Sequence, residues 1–341
     1  MQALLIGEEN SRRTEFFLKA AVELSMPMKF IPYPSIDKLG TFNPPICENY
    51  AVKIDPPLPN SYNINDINKV GLHYSNFLKR LQVVKDAKFL NSPEKILHVM
   101  DKLLFKQSIE NAGICTPSSY TRVNSISELR NVVIEKRLNG VFIKPRYGSG
   151  AAGAIAYRRN LRTGDEVIYT TVAYSSGQFY NNSKLRCVRD KRELETIVNY
   201  ILQMGVIAEA WIPKASFAGM VYDLRVVWQF GKIEYATARL SSGTITNLHL
   251  GGKSIDISEL NLSSKNLSEI EALCNKTMAL FPGLKSAGLD ILLEKGSLKP
   301  YVLEVNGHGD LLHKDIKAEN KLYKSQLLYL KSLTEEQKNE Y

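Results

Sequence analysis

Three residues toward the C-terminal end of the chain have the types and spacing of a hard-cation site. Asp290 ends the segment GLD, and Glu304 and Asn306 stand two apart in EVN. Side chains two apart on a strand face the same side. If GLDILL pairs with YVLEVN across a turn at Gly296-Ser297, all three oxygen ligands converge. Mg²⁺ takes such ligands and typically recruits one or two carboxylates plus substrate phosphates. A merely solvated polar hairpin face is the alternative. The apolar neighbours LDILL and YVLEV weigh against it, because a carboxylate buried among them is costly without a cation or donors.

A second constellation is VFIKPRYGSGAAGAIAYRR, residues Val141 to Arg159. A strand-like run ends in Lys144-Pro145, and a small-residue stretch follows, Gly148-Ser149-Gly150-Ala151-Ala152-Gly153. Such a stretch either packs closely or exposes backbone N–H groups to an anion, with a lysine adding point charge. No GK[ST] follows the glycines, so this is not a Walker A loop. The third constellation is YDLRVVWQFGKIEYATARLSSGTITNLHLGG. Arg225 and Arg239 fall on the two arms of a predicted hairpin, and Asp223 shares the strand face of Arg225. Asn247 and His249 alternate just before Gly251-Gly252. An Asp223/Arg225 pair could be structural. Two arginines and an asparagine beside a cation site suit phosphate and carboxylate.

Positioning these groups requires an α/β frame. ALLIG reads as a short apolar strand, TEFFLKAAVEL (Thr14–Leu24) has helical spacing, and MKFIPY resumes as a strand. With a helix over residues 67–81, this order predicts a small Rossmann-like N-terminal domain. Ser92-Pro93 starts a helix, with Ser as cap and Pro in the first turn. Another helix spans 101–111, and SISELRNVVIEKRL gives one more. Hairpins are predicted for Leu224–Phe230 with Ile233–Leu240, and for Leu289–Leu293 with Tyr301–Val305. Helices near 266–282 and 319–333 close the chain.

The 341 residues suffice for two or three modest domains. No apolar run reaches the length of a membrane span, and MQALLIGEENSRR reads as a buried first strand, not a signal peptide. A cytoplasmic location is therefore expected. Cys47, Cys115, Cys187 and Cys274 show no CxxC or zinc-like spacing and are expected to be buried and reduced. The net charge is +9, from 44 Lys+Arg and 35 Asp+Glu. A basic excess can steer nucleic acid, anionic lipid or acidic and phosphorylated substrates; it is spread along the chain without a basic block, which disfavours nucleic-acid binding.

From about residue 92 to 312 the ordered motifs resemble the ATP-grasp superfamily, and within it the RimK-type carboxylate–amine ligases. The matching segments are DK (Asp101-Lys102) with AGICTP, KPxxGS (Lys144–Ser149), DLR (Asp223–Arg225), TNLHLGG (Thr246–Gly252), GLD and EVN. LIGEENSRRTEFFLKAAVEL, KPRYGSGAAGAIAYRR and EVNGHGDLL look closer still to a bacterial branch of that superfamily.

The resemblance implies an ATP-grasp fold: a Rossmann-like domain over residues 1–95, a central α+β lobe over 96–190 and a C-terminal α+β lobe over 191–341, with nucleotide clasped between the lobes. It implies ATP contacts from Lys102, Lys144, Gly148, Ser149, Gly150 and Gly153, and a hinge at Glu209, Ala210, Trp211 and Ile212 reaching adenine. Asp290, Glu304 and Asn306 would hold one or two Mg²⁺, for which Mn²⁺ could substitute. Arg225, Arg239 and Asn247 would line the γ-phosphate and acyl-phosphate site. The implied reaction activates a carboxylate of a small molecule or peptide as an acylphosphate and joins it to an amine. An assembly of identical copies is compatible with the sequence.

A phosphotransferase or a non-catalytic nucleotide binder on the same fold is the alternative, and a basic nucleic-acid-binding protein is the rival of another class. RimK-type loops usually carry a glycine near Ala151, and His308 and Asp310 stand where related ligases often have Ser-Pro-Gly. His308 could contact substrate. Arg12 and Arg13 either face a cleft or lie on a solvated helix start.

Overall fold

The computed structural model describes residues 2–34, 36–39, 41–42, 49–57, 64–148, 150–246, 253–309 and 319–336. Four parallel strands come first: β1 (Gln2–Gly7), β2 (Met28–Pro32), β3 (Tyr50–Ile54) and β4 (Lys88–Phe89), in the order β2-β1-β3-β4. The run Ala3–Ile6 of β1 is wholly buried, as an inner parallel strand covered on both faces must be. Helix α1 (Arg12–Glu23) links β1 to β2 and is capped by Ser11, whose hydroxyl accepts from the Thr14 N–H at 3.1 Å. The short α2 (Ile36–Leu39) follows β2, and α3 (Ile67–Gln82) lies between β3 and β4. This is the predicted Rossmann-like arrangement.

Helices α4 (Pro93–Met100) and α5 (Lys102–Asn111) lead into an antiparallel sheet. Its strands are β5 (Ser119–Tyr120), β6 (Val141–Pro145), β7 (Ile155–Arg159), β8 (Glu166–Ser175), β9 (Gln178–Val188) and β10 (Val206–Ala210), in the order β5-β10-β6-β7-β8-β9. Helices α6 (Ile126–Glu135) and α7 (Lys191–Leu202) bury Ile126, Leu129, Val133, Leu194, Ile197 and Ile201 against Val141, Ile143, Ile155 and Tyr157. That three-and-four spacing is the apolar stripe of a helix on a sheet. Both α7 and β10 follow residue 190, so this sheet extends past the division placed there from the sequence. The reason is pairing: β10 enters between β5 and β6, with Ile207 opposite Lys144.

The third sheet runs β14-β13-β12-β15-β16, with β11 (Ser216–Phe217) beside β12. Here β12 is Met220–Gln229, β13 Lys232–Ser241, β14 Lys253–Asp256, β15 Ser286–Leu293 and β16 Pro300–Asn306. The β12–β13 turn has Phe230 at φ 49° and Gly231 at φ 90°. Two positive φ values in a two-residue turn match the twist of the strands they join. Helix α8 (Ser264–Met278) packs on this sheet, burying Ile270, Cys274 and Met278. The last helix, α9 (Lys321–Glu336), returns to the N-terminal domain, where Tyr323, Leu327 and Leu330 pack with Leu5 and Phe17.

Two expectations change. Cys274 is buried, but Cys115 is half-buried and Cys187, on edge strand β9, is exposed; all three are free thiols. Cys47 lies outside the described residues. No helix among the described residues is long and apolar enough to cross a membrane.

Candidate functional site

Strand register brings the acidic residues together. Asp290 on β15 stands opposite Glu304 on β16, and Gly288 stands opposite Asn306. A bulge between Asp290 and Ile291 shifts the register just beyond the pair. The Asn306 side-chain amide donates to Gly288 O at 3.2 Å, which directs its oxygen away from that carbonyl. On the other side of β15, Arg225 of β12 stands opposite Asp290. One face of the sheet therefore carries a row of charges.

Arg225 Nε lies 2.9 Å from Asp290 Oδ1, and Arg239 reaches Asp290 Oδ2 at 2.9 Å. Arg239 also donates from Nε to Asp223 at 2.8 Å, and Lys214 reaches the other Asp223 oxygen at 2.8 Å. The Thr246 hydroxyl bonds Asp223 and Lys214 and so ties down the chain just before Asn247. Burial pushes the Asp290 carboxyl up to about 6, the Arg225 and Arg239 charges oppose this, and the Glu304 charge adds to the rise. Burial would raise Glu304 too, but Lys102, Lys144 and Arg225 outweigh it and hold it at about 2. Facing carboxylates resist ionising together.

The donor set fits a divalent cation. The buried Asp290 Oδ1, despite its 2.9 Å approach to Arg225, takes no aligned hydrogen bond. Two carboxylates and an amide oxygen on one hairpin are hard ligands, few enough to leave positions for phosphate and water. Among the described residues no cluster of three His, Cys, Asp or Glu has metal-binding geometry, so any cation here relies on Asn306 or non-protein ligands.

Two lysines face this hairpin from the central lobe. Lys102 opens α5; its Nζ donates to Gly148 O at 2.5 Å and lies 3.9 Å from Glu304. Lys144, near the end of β6, pairs with Glu209 at 2.5 Å. The residue before Lys102, Asp101, caps α5 by accepting from the Leu103 and Leu104 N–H groups. Asp101 also takes both arms of Arg146, at 2.8 and 2.5 Å, and the Tyr147 hydroxyl at 3.1 Å. The base of the glycine-rich loop is thus fixed to the helix that carries Lys102. Tyr147 in turn lies on α3 over Gly71, where an added Cβ would come within 2.3 Å of it. That contact requires a glycine at position 71.

In the loop itself Gly150, Ala151 and Gly153 take φ values of 62°, 67° and 69°. Alanine at Ala151 adopts a left-handed conformation that usually belongs to glycine. The Gly153 N–H reaches Asn181 Oδ1 at 3.4 Å, and Thr171 donates to Ala151 O at 3.3 Å, so the β8–β9 hairpin supports the loop.

The predicted hinge residues are placed differently from one another. Glu209 belongs to β10, opposite Ser119 on one side and Phe142 on the other, and its carboxylate holds Lys106 and Lys144. Burial would raise that carboxyl, but Lys144 and Lys106 outweigh it and hold it at about 2. The Ala210 N–H bonds Ser118 O at 2.9 Å, and the Trp211 N–H bonds Gly140 O at 3.0 Å. The Trp211 ring lies against Phe142 and the Arg158 guanidinium, and Ile212 is half-buried. Ser149, Asn247, His249 and Asp310 lie outside the described residues.

Arg12 is exposed at the helix start, whereas Arg13 donates to the carbonyls of His308 and Gly309 and joins the N-terminal domain to the loop after β16. His308 Nε2 lies 2.6 Å from the Tyr74 hydroxyl on α3. Lys106, Lys214 and the clasp of Arg146 and Tyr147 on Asp101 join the site through the fold, without a sequence motif. Lys106 was detectable as a cation on the apolar face of α5, beside Phe105 and Ile109.

No protein-family model and no curated protein sequence matches the chain. Solved structures do. The chain is similar to D-cycloserine synthetase DcsG at TM-score 0.62 and 12% identity, over 98% of this chain and 100% of that one. It is similar to macrocyclase MdnC, bound with precursor peptide MdnA, from Microcystis aeruginosa MRC, at TM-score 0.60 and 14% identity, over 97% and 100% of the two chains. It is also similar to ATP-grasp ligase PsnB, complexed with minimal precursor, Mg and ADP, at TM-score 0.56 and 14% identity, over 98% of each chain. At these identities the likeness is one of fold, and the fold is that of the ATP-grasp ligases.

Proposed function

We propose that this protein is an ATP- and Mg²⁺-dependent carboxylate–amine ligase of the RimK type. The observation that carries the reading is the meeting of Asp290, Glu304 and Asn306 with Lys102 and Lys144 beside the Gly148–Gly153 loop. These groups come from two sheets and the start of α5, and together they supply what a triphosphate with a hard cation needs.

Asp290, Glu304 and Asn306 would hold the cation, which supplies countercharge to phosphate oxygens. Lys102 and Lys144 face the same space and neutralise phosphate charge as point charges. The glycine-rich loop, to which Ser149 belongs in sequence, covers the phosphates, and Ala210, Trp211 and Ile212 border the adenine side. With Asp290 committed to a cation, the partly exposed Arg225 turns its guanidinium to the transferred phosphoryl group. Asn247, next in sequence to the anchored Thr246, would contact the same group. Arg239 is held between Asp223 and Asp290 and keeps the row of charges in register.

A substrate carboxylate oxygen attacks the γ-phosphorus, and the bond to the bridging oxygen of ADP breaks. An amine nitrogen then attacks the acyl carbon, phosphate leaves, and the nitrogen loses a proton. The protein contributes position and charge to both steps and no covalent nucleophile. The carboxylate belongs to a small molecule or a peptide. Support for both comes from the fold's occurrence in a D-cycloserine synthetase, in a ligase complexed with a minimal precursor and in a macrocyclase bound with a precursor peptide. The net charge of +9 suits an acidic partner.

Release of ADP from Mg-ATP, measured across pooled carboxylates and amines with mass analysis of products, tests the reading. Amide formation that falls at least about a hundredfold in Lys144→Ala and Glu304→Ala is the expected result. Wild-type turnover in either variant, or ADP release with only a phosphorylated product, would overturn it.

A further inference from the structure

The two sheets are linked beneath the candidate site by a buried chain of polar groups. Val302 O, on the strand that carries Glu304, accepts from the Thr116 hydroxyl at 2.8 Å. Lys106 Nζ bonds Thr116 Oγ1 at 2.6 Å and Glu209 Oε1 at 2.8 Å. Glu209 Oε2 then pairs with Lys144 Nζ at 2.5 Å. Lys106 and Glu209 are sealed from solvent, with side chains 1% and 6% exposed, whereas that of Lys144 is 22% exposed.

A buried carboxylate needs one cation to neutralise it, and here it has two. An additional buried ammonium is costly unless it does something an apolar side chain of similar length would not. Within this trio two ammonium groups meet one carboxylate and leave a surplus of one positive charge, which faces the Glu304 and Asp290 carboxylates of the candidate cation site. Of the three side chains only Lys144 is open to a ligand, so the surplus is presented there.

We propose that Lys106 is a positioning residue that lets Lys144 act as a full positive charge toward nucleotide phosphates. With Lys106 in place, Glu209 is shared, and Lys144 is held at the end of β6 without being neutralised. Without Lys106, Glu209 and Lys144 form a neutral pair, and the lysine is drawn toward the carboxylate and away from its ligand. The bond through Thr116 also refers the position of Lys144 to the strand bearing Glu304. This inference rests on the nucleotide-binding reading and names a residue that the nucleotide cannot touch.

The test is the Mg-ATP affinity of wild type, Lys106→Met and the double variant Lys106→Met/Glu209→Gln, by titration calorimetry. Melting curves establish that each is folded. The single variant should bind at least about tenfold more weakly, because one unit of charge beside the phosphates is lost. The double variant should recover to within about threefold of wild type, because Lys144 regains its surplus charge.

A single variant that binds like wild type overturns the inference, as does a double variant no better than the single, which would make Lys106 a packing residue only. If Lys106→Met does not fold, the double variant decides alone: near-wild-type affinity supports the inference and a tenfold loss overturns it. Wild type that binds no Mg-ATP removes both the inference and the reading beneath it.

Discussion

The two arginines that the sequence groups together separate in the structure. Arg239 is buried and holds both Asp223 and Asp290, whereas the Arg225 side chain is 21% exposed and pairs with Asp290. Removing one partner from a buried charged network leaves the others uncompensated and costs about 3–5 kcal/mol. Arg239→Met should therefore lower the unfolding free energy by roughly that amount in chemical denaturation, with or without nucleotide. Arg225→Met should cost less than Arg239→Met, because Arg225 holds one buried carboxylate where Arg239 holds two, and should also fail in turnover. Equal stability losses in the two variants would show that their environments do not differ as described. The acidic residues themselves were legible because a two-residue strand period and one tight turn fix Asp290, Glu304 and Asn306 on one face. The role of Glu209 was not, because its partners Lys106 and Lys144 lie 103 and 65 positions away and meet it only once β10 has entered the sheet.

At the scale of elements, α6 is fastened to its sheet by charge as well as by its apolar stripe. Arg130 on α6 grips Glu166 of β8 at 2.8 and 2.5 Å and Glu195 of α7 at 2.7 Å, and Arg159 adds a bond to Glu166 at 2.7 Å. Burial would raise the Glu166 carboxyl, but its bonds to Arg130, Tyr157 and Arg159 outweigh that and bring it from about 4.5 down to about 2. A carboxyl held lower in the folded chain than in the unfolded one stabilises the fold above the unfolded value. That contribution is lost as pH falls toward the folded value.

The melting-temperature gap between wild type and Glu166→Gln should thus be widest near neutral pH and close between about pH 4.5 and about pH 2. Discounted for partial solvent screening, the contribution is about 2 kcal/mol. A gap that stays constant over that window would remove the ion pairs as its cause. Hairpins whose apolar runs flank an obvious glycine-containing turn, β12–β13 and β15–β16, were readable in advance. The β8–β9 hairpin was not, because polar and aromatic residues mix along both strands without the apolar runs that mark the other two.

Over the whole molecule, two elements join what the sequence presents as separate domains. Helix α3 buries Tyr74, Phe77 and Leu78 in the core shared with the third sheet. It also contributes Ile67 to the core of the central lobe, seats Tyr147 over Gly71 and meets His308 through Tyr74. Helix α9 closes the N-terminal sheet from the far end of the chain. Neither docking was legible, since an amphipathic stripe states that a helix has a buried side and not which sheet receives it. The fold class was legible from strand and helix order, because parallel βαβ units and antiparallel hairpins leave different periodicities.

The consequence for function is that residues from both lobes reach one charged space from a frame with shared cores. The most direct test is the melting temperature of purified wild type and Glu304→Gln with Mg²⁺ alone, ATP alone and the two together. A ligand that binds only the folded state at a hundred times its dissociation constant adds about 2.7 kcal/mol. The account predicts a rise of several degrees in wild type with Mg²⁺ and ATP together, a smaller one with ATP alone, and loss of the Mg²⁺-dependent part in Glu304→Gln. No rise in wild type, or the same Mg²⁺-dependent rise in the variant, would contradict it.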